Sequence, residues 1–221
     1  MIKFWRYFLL LLLIPTAFAK NAAESSRPEN PRFKDGKDYF SYSSPVKIDE
    51  KTDNKILVQS FFDYDCRNCS DVQDVLELYA QLNSNSVMVK NYPVALPKAQ
   101  FSARTFYSLQ AVGREDVADS LLLETSDKQM YNKLSKMDNL LKWLEKKGVD
   151  GRTFKEMYNS PEIAAALNDM VEMTEKYGVF TYPFVVIQGK YALTNSTLYN
   201  DDYTFAVMDY LIKELTREKA E

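Results

Sequence analysis

Cys66 and Cys69 are the only thiols in this chain of 221 residues, and they stand three positions apart in FFDYDCRNCSDVQDVL, residues 61–76. A thiol pair at that spacing can form a disulfide and exchange it. The stretch before the pair, Ile56 to Phe62, is apolar and β-branched and reads as a buried strand. After it, Val72, Val75, Leu76, Tyr79 and Leu82 recur at helical spacing, which predicts a helix from about Cys66 to Leu82. On a helix, positions i and i+3 share a face, close enough to accept disulfide geometry. The first thiol then lies at the free backbone N–H groups and the positive end of the helix dipole. Both favour the thiolate, which makes Cys66 a nucleophile near neutral pH and a good leaving group in exchange. Cys69, one turn further in, is the resolving thiol.

Other chemistries fit the pair less well. A zinc site needs two more ligands, and the chain has no histidine and no third cysteine. The missing histidine also excludes a cysteine–histidine hydrolase. A purely structural disulfide closing so short a loop would restrain little of the unfolded chain. Three charged neighbours bear on the thiolate. Arg67 either acts as a permanent cation beside Cys66 or is simply an exposed arginine of the first helical turn. Asp63 and Asp65 oppose the thiolate, unless Asp65 is spent as a helix cap.

The elements that must position this pair follow from the rest of the chain. MIKFWRYFLLLLLIPTAFAK opens with Lys3 and Arg6, continues through an apolar run and ends in Ala17-Phe18-Ala19. The run is well short of the ~20 residues that span a bilayer, so residues 1–19 read as a secretory signal peptide cleaved after Ala19. The net charge of −3 falls to −5 when Lys3 and Arg6 leave with it, a balance that does not suggest nucleic-acid binding. Residues 20–37 read as a flexible leader. Tyr39 to Tyr42 suggests a short edge strand, Val87 to Tyr92 a strand after the first helix, and 97–160 only helical patterning. Ser160 and Pro161 open a further helix that Gly178 ends. Two short strands, Phe184 to Ile187 and Tyr191 to Leu193, and a last helix from about Asp202 to Thr216 complete the order.

Several segments together resemble the DsbA family of periplasmic thiol:disulfide oxidoreductases in the thioredoxin superfamily: Phe33 to Tyr39, Val58 to Cys69, Tyr158-Asn159-Ser160 with its long helix, and Thr181-Tyr182-Pro183-Phe184-Val185-Val186-Ile187-Gln188-Gly189-Lys190-Tyr191-Ala192-Leu193. The resemblance implies an α/β thioredoxin-like fold, formed by 38–96 and 161–217, with an inserted all-helical domain at 97–160. It implies that Pro183 is cis and packed against the Cys66–Cys69 bond, with Thr181 and Tyr182 meeting the substrate. It implies no metal, nucleotide or organic cofactor beyond the redox-active disulfide. It also implies a periplasmic monomer that oxidises the cysteine pairs of unfolded exported proteins and is reoxidised by a quinone-linked, DsbB-like membrane partner. Two departures stand out. Arg67-Asn68 replaces the Pro-His pair of the best-known members, which makes both residues candidates for tuning the redox poise. Ser60 stands where the family usually has a buried acid serving proton transfer. A reductase or isomerase, and a non-catalytic chaperone on the same frame, remain alternatives.

Overall fold

The computed structural model describes residues 32–220. The signal peptide and residues 20–31 of the expected leader lie outside the described residues. The leader does not extend to residue 37 as a flexible segment. Phe33 is buried, its ring meeting Tyr203 and Tyr210 at centroid distances of 5.9 and 5.6 Å. Residues 34–38, directly after it, form a turn closed by Asp38, which accepts from the Lys34 N–H at 2.7 Å and from the Tyr203 hydroxyl at 2.5 Å. An aromatic ring that finds two partners in the core outweighs the polarity of its neighbours.

Five strands form one mixed sheet in the order β1-β5-β4-β2-β3. They are β1 (Phe40–Ser41), β2 (Ile56–Phe62), β3 (Val87–Pro93), β4 (Phe184–Ile187) and β5 (Tyr191–Leu193). β2 runs parallel to β3 and antiparallel to β4, with Val58 opposite both Val89 and Ile187. Every residue of β2 is buried, which is why its sequence is a continuous apolar run and not an alternating one. Its two faces serve two cores. Ile56 and Val58 join Val185 and Ile187 under α1 (Cys69–Leu82) and α8 (Asp201–Ala220), through Val72, Leu76, Tyr79, Val207, Met208 and Leu211. Phe61 joins Phe184 and Val186 under α7 (Pro161–Lys176), through Ile163, Leu167 and Met170. Enclosing a side chain such as Leu57 or Val58 contributes about 1.5–3 kcal/mol.

Between Phe101 and Tyr158 the chain forms five helices joined by short turns: α2 (Phe101–Ala111), α3 (Glu115–Thr125), α4 (Lys128–Leu134), α5 (Met137–Lys146) and α6 (Gly151–Tyr158). Within the stretch 97–160, where the patterning is helical without a break at this point, the chain turns at Ser135 and Lys136, and Met137 opens α5. Leu109, Leu121, Leu134, Leu140, Leu144 and Phe154 build the interior of this block.

Two local signals act as written. The Ser160 side chain caps α7 by accepting from the Ile163 N–H at 3.2 Å, with Pro161 beginning the helix. Gly189 turns β4 into β5 at φ +63, where a Cβ would stand 2.2 Å from the Val46 carbonyl oxygen, so only glycine fits.

Candidate active site

The helix carrying the cysteines starts later than the periodicity predicts. α1 begins at Cys69, with Asn68 at the N-cap position, and Cys66 lies in the turn before it. Asp65 does not cap the helix, and Asn68 makes no side-chain cap bond. The turn has its own organisation. Asp63 Oδ1 accepts from the Asp65 N–H at 2.7 Å, the short-range bond that aspartate offers the backbone two residues on. This local alternative to helical bonding holds residues 63–65 outside the helix.

Cys66 and Cys69 are joined by a disulfide with their Cα atoms 5.5 Å apart. The bond ties the Cys66 sulfur to the first helical residue, where unpaired N–H groups and the dipole favour negative charge. Both cysteines are buried, at 4% and 2% exposure, whereas Arg67 and Asn68 are exposed. A cleft of 620 Å³ opens beside Arg67 and Asn68, lined by Asp65, Arg67, Asn68 and Asp71 on one side and residues 125–128 of the helical block on the other.

The loop before β4 lies at the same end of the sheet as the cysteines. Phe184 pairs with Phe61 in antiparallel register, so the residues before it run alongside Phe62, Asp63 and Tyr64 at the cysteine end of the sheet. The Tyr182–Pro183 peptide bond is cis, and Pro183 is buried while Thr181 and Tyr182 are partly exposed. The Tyr182 ring packs on the cluster that contains both cysteines. Burial holds the Tyr182 hydroxyl above its ordinary pKa, and the charges of Asp63 and Asp65 add to that. Tyr131, from α4, feels the same two carboxylates but is raised to about 12 chiefly by burial.

The two aspartates differ. Asp63 is drawn into the fold, and burial pushes its carboxyl upward from the ordinary value against hydrogen bonds from the Asp65 N–H and the Ser102 hydroxyl. Asp65 faces the cleft and is ion-paired to Lys128 of α4. Ser60, buried in the middle of β2 between Asn91 and Val185, carries no acid into the interior.

Sequence reasoning passed over Tyr64, Ser102, Tyr131 and Lys128. Tyr64 is fully buried, its N–H donating to Ser102 Oγ at 3.0 Å and its hydroxyl to the Ala118 carbonyl at 3.2 Å. Its signal was the break in a polar run, an aromatic between two aspartates. Lys128, Ser102 and Tyr131 gave none, because their place at the site depends on how the helical block docks.

A thioredoxin-type sheet with a disulfide at the start of its first helix, a facing cis-proline loop and a helical insertion defines a class of thiol–disulfide oxidoreductases. The chain belongs to the DSBA-like thioredoxin domain family, whose sequence profile matches residues 57–203. It is 43% identical over 99% of its length to an uncharacterized protein of Haemophilus influenzae, covering 95% of that protein. It is 29% identical to the thiol:disulfide interchange protein DsbA of Burkholderia cepacia, over 96% of this chain and 98% of that one. The crystal structure of Pseudomonas aeruginosa DsbA superposes with a TM-score of 0.72 at 26% identity, over 86% of this chain and 97% of that one.

Proposed function

We propose that this protein is a periplasmic dithiol oxidase that introduces disulfides into exported proteins. The observation that carries the reading is the Cys66–Cys69 disulfide at the start of α1, beside an open cleft, with the Tyr182–Pro183 loop at the same end of the sheet. A client thiolate attacks the Cys66 sulfur, and Cys69 leaves as a thiolate. A second client thiolate then attacks the client sulfur of the mixed disulfide, and Cys66 leaves. The client loses two electrons and gains a disulfide, while the enzyme is left as a dithiol. The Tyr182 backbone would pair with the client by strand addition. A quinone-linked membrane partner of the DsbB type would take the electrons.

The reduction potential of the Cys66/Cys69 couple, measured by equilibration with glutathione, tests this. A value near the roughly −120 mV of strong oxidases supports it, and one near the roughly −270 mV of thioredoxin assigns the protein a reductive role instead. Cys66→Ser abolishes oxidation of a reduced client peptide under this reading. Full retention of client effects in that variant would identify a binding protein.

A further inference from the structure

Asp63, Asp65 and Arg67 bracket Cys66, and their order in the chain leaves the sign of the local field open. The tertiary structure adds a fourth charge. Lys128, the first residue of α4, sits 63 positions beyond Asp65 and holds both of its carboxylate oxygens, with Nζ 2.6 Å from Oδ2 and in contact with Oδ1. The same ammonium lies 5.1 Å from the Tyr131 ring centroid, a cation–π contact that helps fix it.

We propose that Lys128 is a positioning residue for thiol exchange, neutralising Asp65 from across the cleft so that Arg67 governs the field at Cys66 and the Cys66 thiolate is favoured. The proposal rests on the reading that the Cys66–Cys69 pair is redox-active. The remaining charges leave room for this role. Arg67 enters no ion pair among the described residues. Asp127 is committed to capping α4, accepting from the Met130 N–H at 2.9 Å. Asp71 is exposed on the first turn of α1. Asp63 is occupied by hydrogen bonds from the Asp65 N–H at 2.7 Å and from the Ser102 hydroxyl. Asp65 is thus the carboxylate most able to oppose a thiolate at the adjacent residue, and Lys128 is the cation placed to cancel it. The Lys128 side chain is 65% exposed, so solvent screens it and the effect is a few-fold one.

A mere structural tether and an electrostatic role differ in sign. Losing either partner of a tether loosens the same cleft and moves the site the same way. Losing either partner of a neutralised pair leaves opposite charges behind. The test uses the full mature chain and two readouts, the equilibrium with glutathione and the ultraviolet thiolate absorbance of Cys66 against pH. Lys128→Met is expected to raise the Cys66 pKa and shift the equilibrium toward the disulfide by roughly three- to tenfold, tenfold being about 30 mV for this two-electron couple. Asp65→Asn is expected to shift both readouts the other way by a similar factor. The double variant returns toward the starting values, and Lys128→Arg keeps them. Shifts of the same sign in the two single variants, or no shift in either, overturn the proposal. A reductive potential in the unaltered protein sinks the oxidase reading instead, and leaves the opposite-sign comparison intact as the test of Lys128.

Discussion

The Tyr64 hydroxyl donates to the Ala118 carbonyl at 3.2 Å, fastening the residue two before Cys66 into the core of the helical block. The disulfide is therefore held from two sides, by α1 through Cys69 and by α3 through Tyr64. Phe62 and Phe101 complete the clamp, their rings meeting Tyr64 edge-on at 5.6 and 6.2 Å. Tyr64→Phe removes one hydrogen bond and is expected to cost about 0.5–1.5 kcal/mol. Tyr64→Ala opens a cavity at a fully buried position and is expected to cost about 3–5 kcal/mol. Urea unfolding of both variants checks this, and equal costs would mean that the ring is not what holds the turn.

The division of labour between the thiols has a direct test. Cys69→Ser leaves Cys66 without a resolving partner, so a mixed disulfide with a thiol peptide should accumulate and resist release. Cys66→Ser should form no such adduct. Mass spectrometry after alkylation reads both, and a stable adduct through Cys69 would reverse the assignment.

Burial raises the Asp63 carboxyl in the folded state, so its ionisation opposes folding at neutral pH. A raised acid contributes stability below its unfolded value and loses it as pH rises through the folded one. Asp63→Asn keeps an acceptor for the Asp65 N–H and removes the charge. It should raise the melting temperature near pH 7, with the gain vanishing below about pH 4, where the unfolded carboxyl is also protonated. A gain independent of pH would point to packing.

Asp38 has the opposite sign. Its carboxyl is held below the ordinary value, first by the Tyr203 hydroxyl and then by the Lys34 N–H. Its contribution is present above the unfolded value of about 3.9 and is lost as pH falls through the folded one. Asp38→Asn should lower the melting temperature at neutral pH, and the deficit should close in acid. A deficit that persists at low pH would mean that the geometry of the Lys34 and Tyr203 hydrogen bonds, and not the charge, dominates.

Arg67 is exposed and free of ion pairs among the described residues, so its charge reaches Cys66 largely through solvent. Arg67→Ala is expected to raise the Cys66 pKa and lower the reduction potential, with both changes shrinking at high salt. Thiolate titration at low and high ionic strength measures this, and no change at low salt would leave the helix N-terminus as the source of any stabilisation.

Local sequence settled much of this protein. The run from Ile56 to Phe62 is apolar enough to specify a central strand wherever it pairs, and the structure gives it those bounds. The Ser160-Pro161 start and the glycine after α7 act within a few residues, so they read directly from the chain. The cysteine spacing fixed the pair that can bond, since no other thiol exists. The structure alone decided which side of the helix start holds Cys66, because the Asp63 carboxylate takes the Asp65 N–H in place of helical pairing. It also decided that one aspartate is hydrogen-bonded to Ser102 while the other is ion-paired, two fates that no spacing distinguishes. The reason is physical. Strand and helix preferences are set by neighbours along the chain, but the field at a sulfur is set by neighbours in space, and Lys128 and Tyr64 acquire theirs only when the helical block docks on the sheet.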